Sequence, residues 1–254
     1  VIIDEVHMAK ADVLKRLLTG PFAHCGIRWG LTGTVPKADY EFMGLKCSIG
    51  EVANRIQASE LQDKGVLANC HVNVLQTQDH PQFKTYGEEL KWLTTDKTRM
   101  TWVANTIKDI STSGNTLILV DRISAGEILE EKLDNAVFVS GSTKNTERKE
   151  QYDEVSTSQN KIIIATYGVA SVGINIPRIF NLVLIEPGKS FVRVIQSIGR
   201  GIRKAEDKDS VQIWDITSSC KFAKRHLGAR KKFYKEANYP YKIEKIDYEN
   251  PYSG

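Results

Sequence analysis

The feature that most limits what this chain can become is the regular return of short apolar runs rich in β-branched residues. These runs are Val1–Ile3, Ile27–Leu31, Val72–Leu75, Thr116–Val120, Ala136–Val139, Lys161–Ala165, Asn181–Ile185 and Val211–Trp214. Helical periodicity fills the intervals at Lys10–Leu18, Tyr86–Ile110, Ala125–Leu133, Thr146–Val155 and Val192–Gly201. Strand and helix in alternation predict an α/β fold, a parallel sheet wrapped by helices. The first fifty or so residues supply only two convincing strands, fewer than the ~4–6 of a usual sheet. From about Arg55 to Gly228 the supply suffices for a doubly wound domain. The expected organisation is therefore part of one domain over 1–55, a second whole domain over 56–230, and a basic, aromatic tail over 231–254.

Composition excludes several classes. Hydrophobic residues at 41% and charged residues at 26% are ordinary globular usage, so neither disorder nor a fibrous fold is expected. No apolar run approaches the ~20 residues of a membrane-spanning helix. The opening Val1-Ile2-Ile3-Asp4-Glu5 lacks a basic segment and a cleavage site, so it reads as a strand cut in half rather than a signal peptide. Cys25, Cys47, Cys70 and Cys220 form no C-x-x-C pair and have no histidine at finger spacing, which points to a reduced, cytoplasmic protein.

The net charge of +4 is too small to imply a polyanionic partner, but its distribution is uneven. Lys221, Lys224, Arg225, Arg230, Lys231, Lys232, Lys235, Lys242 and Lys245 face only Glu236 and Glu244 as acids between Lys221 and Lys245. Phe222, Phe233, Tyr234, Tyr239 and Tyr241 are interleaved with them. Such a mixture suits phosphate contact and base stacking, with Lys231 and Lys232 as candidate nucleic-acid contacts. The competing reading is a solvated terminal helix with a few core aromatics.

Three segments carry candidate chemistry. Asp4 and Glu5 close the first strand, and ligands of open α/β sheets collect at the carboxyl ends of strands. One such carboxylate can hold Mg²⁺ while its neighbour orients and deprotonates a water, so Asp4 is assigned to the metal and Glu5 to the base. Leu31-Thr32-Gly33-Thr34 follows the second strand and suits either a hydrogen-bonding relay or a turn with Thr caps. In Gln196-Ser197-Ile198-Gly199-Arg200-Gly201-Ile202-Arg203-Lys204, Arg200 and Arg203 share a helix face and can both reach one anion. Guanidinium groups stabilise the charge on a transferring γ-phosphoryl group. Two glycines, each costing roughly 1 kcal/mol against alanine, make this a poor helix for packing alone.

In order and spacing these segments resemble the motifs of superfamily-two helicases of the DEAD/DEAH type. Asp4-Glu5-Val6-His7 resembles motif II, Leu31–Thr34 motif III, Thr116–Asp121 motif IV, Ala165–Ile176 motif V and Gln196–Arg203 motif VI. The resemblance implies two RecA-like domains holding ATP and Mg²⁺ between them, with a nucleic-acid strand crossing both. It makes Arg200 and Arg203 arginine fingers and Gln196 a γ-phosphate sensor, and it puts Gly173 near the nucleotide. His7, Thr32 and Thr34 couple the ATP site to the strand. Thr166, Ser140 and Gly141 contact the nucleic-acid backbone, with Arg122 a further candidate. Asn175 stands where many relatives carry Asp, which replaces an ion pair by a neutral hydrogen bond.

The likeness is to bacteriophage members, and it implies a DNA helicase or translocase for branched or forked DNA in recombination, repair or replication, working in the host cytoplasm. Single-stranded DNA, RNA or an RNA–DNA hybrid are the other partners it admits; a membrane is not expected. The run G-x-x-x-x-G-K-[ST] that cradles phosphates belongs upstream of motif II, and the sequence starts at motif II. Gly188-Lys189-Ser190 imitates it, but position 183 falls inside a strand and only Glu186 and Pro187 intervene, leaving no room for a cradle. The polypeptide alone is thus expected not to hydrolyse ATP. The rival expectation is a non-catalytic nucleic-acid-binding fragment.

Overall fold

The computed structural model describes residues 1–4, 6, 11–32, 39–56, 60, 69–141, 143, 150, 153–154, 158–171, 178–188 and 210–249. The chain divides into two compact units, Val1–Ile56 and Gln57–Gly254. In the first, β1 (Ile2–Ile3) pairs in parallel with β2 (Trp29–Gly30), flanked in sequence by α1 (Ala11–Thr19) and α2 (Asp39–Ser48). Val6, Leu14 and Leu18 form its small core against Ile3, Leu45 and Ile49. Arg28 closes the end of α1 by donating to the Leu18 carbonyl, where a cation also meets the negative end of the helix dipole. Much apolar surface stays uncovered on this unit, Ile2 being 74% exposed and Ile27 71%.

The second unit is built on seven strands: β3 (Asn69–Thr77), β4 (Thr116–Val120), β5 (Ala136–Val139), β6 (Ile162–Thr166), β7 (Asn181–Ile185), β8 (Ser210–Ser218) and β9 (Tyr241–Ile246). All pairings are parallel, in the order β5-β6-β4-β7-β8-β3-β9. The α/β expectation is met. The period of two along a strand is visible in the core. Leu117, Leu119, Ile163, Ala165, Leu182 and Leu184 enter one apolar cluster. Their neighbours Ile118, Val120, Ile162, Ile164, Val183 and Ile185 enter the other. Both faces are covered, which is why these strands are apolar throughout rather than alternating.

The helices that supply this cover are α3 (Tyr86–Thr95), α4 (Lys97–Ser111), α5 (Ile123–Lys132), α6 (Tyr167–Ser171) and α7 (Lys221–Glu236). Met100, Val103 and Ile107 of α4 and Leu129 of α5 pack into one cluster. Leu227 and Tyr234 of α7 pack into the other. Two close approaches are made through glycine. A Cβ on Gly126 of α5 would overlap the Phe138 ring of β5, and one on Gly114, at φ +142°, would lie 2.8 Å from Phe180.

Three sequence expectations are corrected. The single helix expected over Tyr86–Ile110 is two, because Asp96 at φ −60° and ψ 127° ends α3 and caps α4 by accepting from the Arg99 N–H. The helix α2 was not expected. Residues 231–249 are not a separate tail: 231–236 finish α7 and Tyr241–Ile246 add a strand beside β3. Tyr234 and Tyr239 are buried in the core, so burial of aromatic surface docks this segment. The helical expectations at Thr146–Val155 and Val192–Gly201 lie largely or wholly outside the described residues.

Candidate nucleic-acid interface at the carboxyl edge

The carboxyl ends of β5, β6 and β4 lie side by side, with Val139 opposite Ala165 and Thr166 opposite Val120. Neighbouring strands are about 4.8 Å apart, so Ser140 and Thr166 emerge side by side, and Arg122 follows two residues after Val120 on the next strand. The Ser140 N–H donates to Thr143 Oγ1 at 3.0 Å and the Thr143 N–H to the Ser140 carbonyl at 3.2 Å. This closed turn leaves Gly141 exposed at its tip, with open space where a Cβ would stand. Thr166 Oγ1 accepts from the Val169 N–H at 3.4 Å, capping α6. Arg122 is the extended residue before α5 and donates through Nη2 to the Gly87 carbonyl at 3.3 Å. Its buried Nε finds no acceptor among the described residues. A bare backbone turn, a threonine and an arginine on one rim are the donors a phosphate backbone requires.

Along the same sheet edge, at the carboxyl ends of β7, β8 and β3, lies a network that sequence reading missed. Arg99, 0% exposed, donates to Glu186 Oε1 at 2.6 Å and to the Leu93 carbonyl, with Asp79 Oδ2 3.5 Å from its Nε. Tyr248 donates to the other Asp79 oxygen at 2.7 Å, and Thr217 to Glu186 Oε2 at 3.2 Å. Glu186 itself takes a left-handed φ of 44°, just past β7. Burial pushes its carboxyl up to about 7, partly opposed by Arg99 and Arg230.

Arg230 meets Asp215 of β8 with Nε and Nη2 at 2.8 and 3.0 Å and donates through Nη1 to the Pro187 carbonyl at 2.5 Å. Tyr234 donates to the same carboxylate at 2.8 Å. Arg230, read from sequence as one of a basic surface run, is 2% exposed and spent on this pair. Residues 185–188 are thus pinned by two buried arginines at the point where the chain leaves β7 for residues 189–209. At the start of α3, burial and Asp121 raise the Tyr86 phenol to about 12, so it remains a donor. The sequence signals were faint: one arginine on the apolar face of a helix, and one aspartate inside a strand.

Of the other predicted site residues, Asp4 is exposed directly after β1 and Thr32 is half-buried after β2. Lys231 is half-exposed and Lys232 exposed on α7. Glu5, His7, Thr34, Gly173, Gln196, Arg200 and Arg203 lie outside the described residues. Among the described residues no group of three His, Cys, Asp or Glu side chains could hold a metal. Asp4 presents an exposed carboxylate, a donor type that suits Mg²⁺, which commonly takes one or two protein carboxylates and completes its shell with water and phosphate oxygens. Val183 is buried within β7, which rules out a phosphate cradle at 183–190.

Residues 98–205 match the family model of the helicase conserved C-terminal domain. The match is to a segment of the second unit. The matched stretch contains the β4, β5, β6 and β7 strands and hence Arg122, Ser140, Gly141 and Thr166. Over 241 residues the chain is 27% identical to the ATP-dependent DNA helicase UvsW of Enterobacteria phage T4, covering 91% of this chain and 48% of UvsW. It is 25% identical over 259 residues to the Drosophila melanogaster general transcription and DNA repair factor IIH helicase/translocase subunit XPB, covering 95% of this chain and 32% of XPB.

The crystal structure of T4 UvsW superposes with a TM-score of 0.61 at 22% identity, covering 97% of this chain and 53% of UvsW. S. cerevisiae Dbp5 bound to RNA and ADP BeF3 superposes at 0.60 with 16% identity, covering 98% of this chain and 59% of Dbp5. The chain therefore spans about half or less of the length of the helicases it resembles by sequence. The seven-stranded sheet of the second unit has the RecA-like helicase C-terminal fold, and the relatives it matches by sequence are named as helicases.

Proposed function

We propose that the chain is part of an ATP-dependent DNA helicase or translocase, and that its helicase C-terminal domain grips a nucleic-acid strand at the carboxyl edge. The observation that carries this reading is the convergence of Ser140, Gly141, Thr166 and Arg122 on three adjacent strand ends of that domain. Gly141 and the Ser140 turn offer backbone to phosphates, Thr166 adds a hydroxyl, and Arg122 adds charge. Lys231 and Lys232 lie on α7 and add a separate cationic face for nucleic acid. Asp4 holds Mg²⁺, which when bound neutralises charge on the phosphates, and Glu5 orients the attacking water. Gln196, Arg200 and Arg203 meet the γ-phosphate, Gly173 lines the nucleotide, and His7, Thr32 and Thr34 transmit its state. The buried pairs of Arg99 and Arg230 fix where the segment bearing Arg200 and Arg203 departs from the sheet.

Branched or forked DNA in recombination, repair or replication is the proposed substrate; RNA is the alternative partner. DNA-stimulated ATP hydrolysis by the full-length protein tests the motor reading: Arg203→Ala is expected to abolish it, and an unchanged rate would refute the assignment. The second reading is a non-catalytic DNA-binding fragment, favoured by the placement of Ser140, Gly141, Thr166 and Arg122 on one sheet of this polypeptide. ATP turnover by this polypeptide alone would refute that second reading.

A further inference from the structure

We infer that the outer face of α7 is a second, sequence-independent nucleic-acid contact that holds the phosphate backbone of a duplex, apart from the carboxyl edge. At 3.6 residues per turn, Lys221, Lys224, Arg225, Lys231, Lys232 and Lys235 project within about 120° of one another. All are exposed except Lys231, which is half-exposed. The opposite face, Ala223, His226, Leu227, Arg230 and Tyr234, is buried against the sheet, so the helix cannot turn its cations elsewhere. None of the six forms an ion pair with a described residue; Glu236, at the far end, is the one acid of the helix.

The stripe is laid out against the interest of folding. Cations at i, i+3 and i+4 repel, and Lys221 and Lys224 sit at the positive end of the helix dipole. That end carries no acid of its own. It is tied down from outside by Glu89 of α3, which accepts from the Phe222 and Ala223 N–H groups at 3.1 and 2.7 Å. A row of like charges maintained at that cost has a polyanion as its fitting partner.

Length and chemistry select a duplex. From Lys221 to Lys235 the stripe runs about 21 Å, the axial span of roughly six phosphates on one strand. Gly228 lies midway, exposed, with nothing within 4 Å of a Cβ position, so a backbone phosphate can approach the helix itself. The interleaved aromatics do not share the stripe. Phe222 packs on Tyr86, and Phe233 on Tyr234 and Tyr239. Single-strand binding uses exposed aromatic platforms for unstacked bases, and this face has only charge. This inference deepens the proposed function and rests on its reading of the chain as part of a nucleic-acid motor.

The test is equilibrium binding, by fluorescence anisotropy over a range of salt, of the full chain to two unrelated duplexes and to a single strand. The variant Lys224→Gln/Arg225→Gln/Lys232→Gln/Lys235→Gln is expected to lose tenfold or more in duplex affinity, equally on both sequences. Its log–log salt slope should fall by about 3 to 4, near 0.9 per phosphate contact, while single-strand binding stays within about twofold. The control Lys84→Gln/Lys91→Gln/Lys97→Gln/Lys108→Gln removes the same charge from exposed positions of α3, α4 and the turn before them. Unchanged duplex affinity in the α7 variant, an equal loss in the control, or an equal loss on the single strand would each overturn the inference. Arg122→Gln/Thr166→Val separates the two readings: lost single-strand binding with intact duplex binding is expected, and an unaffected single strand sinks the carboxyl-edge reading while leaving α7 standing.

Discussion

Replacing Arg230 by methionine removes a guanidinium that sits 2% exposed against a fully buried Asp215. Two of its donors, Nε and Nη2, form a bidentate pair with that carboxylate, and a third meets the Pro187 carbonyl. After substitution, Tyr234 at 2.8 Å is the one hydrogen-bond donor left to the carboxylate among the described residues. Breaking a buried pair from one side costs about 3–5 kcal/mol, because the remaining charge stays desolvated. Against a domain stability of about 5–15 kcal/mol, that is roughly a fifth or more of the total. Arg230→Met/Asp215→Leu exchanges both charges for apolar volume and leaves the Pro187 carbonyl and the Tyr234 hydroxyl wanting, at about 1–3 kcal/mol each. The double variant should therefore be more stable than the sum of the single variants predicts, by about 2 kcal/mol or more. Urea unfolding of the full chain, followed by circular dichroism and tryptophan fluorescence, measures all three variants. If Arg230→Met costs no more than the ~0.5 kcal/mol of a surface substitution, the buried-pair account is wrong and Arg230 is one more surface cation.

Three further outcomes follow from the same packing. Gly126→Ala should lose about 1–3 kcal/mol through overlap with Phe138, whereas Gly228→Ala, in an exposed helix interior, should gain up to about 1 kcal/mol; thermal unfolding that gives both the same sign would contradict the close approach of α5 to β5. The Glu186 carboxyl rises from 4.5 to about 7 on folding, so the folded state binds more protons between those values and stability falls as pH climbs through that window. The loss is a few kcal/mol at about 1.4 per unit, and Glu186→Gln should flatten it in unfolding measured at pH 5.5 and 8. Glu89→Gln removes the carboxylate that serves the first turn of α7 and should cost about 1 kcal/mol in the same assay.

The interior strands were legible because burial on both faces leaves an unbroken apolar run, as in Thr116–Val120 and Asn181–Ile185. Tyr241–Ile246 was not, since an edge strand open to solvent alternates lysine, glutamate and isoleucine and looks like surface. The break between α3 and α4 rests on one aspartate that completes an amphipathic pattern equally well as a helix residue or as a cap. Ser140, Gly141, Thr166 and Arg122 were named from motif order, and the sheet register puts their strands side by side.

The arginine pairs were beyond reach for a different reason. Arg99 finds Glu186 87 residues away, and nothing local distinguishes Arg230 from the lysines around it. A charge in a basic run reads as surface until its helix face is known. The aromatic residues of that run were ambiguous in the same way, and the core claimed Tyr234 and Tyr239.

Backbone hydrogen exchange of the chain with and without a saturating single strand tests the central claim most directly, because the carboxyl-edge reading relies on main-chain contacts. Exchange should slow at Gly141 and from Thr166 to Gly168, while Thr112 to Asn115, at the opposite edge of β4, should exchange as before. Protection at Thr112 to Asn115 instead, or none at Gly141 and Thr166, would contradict the account.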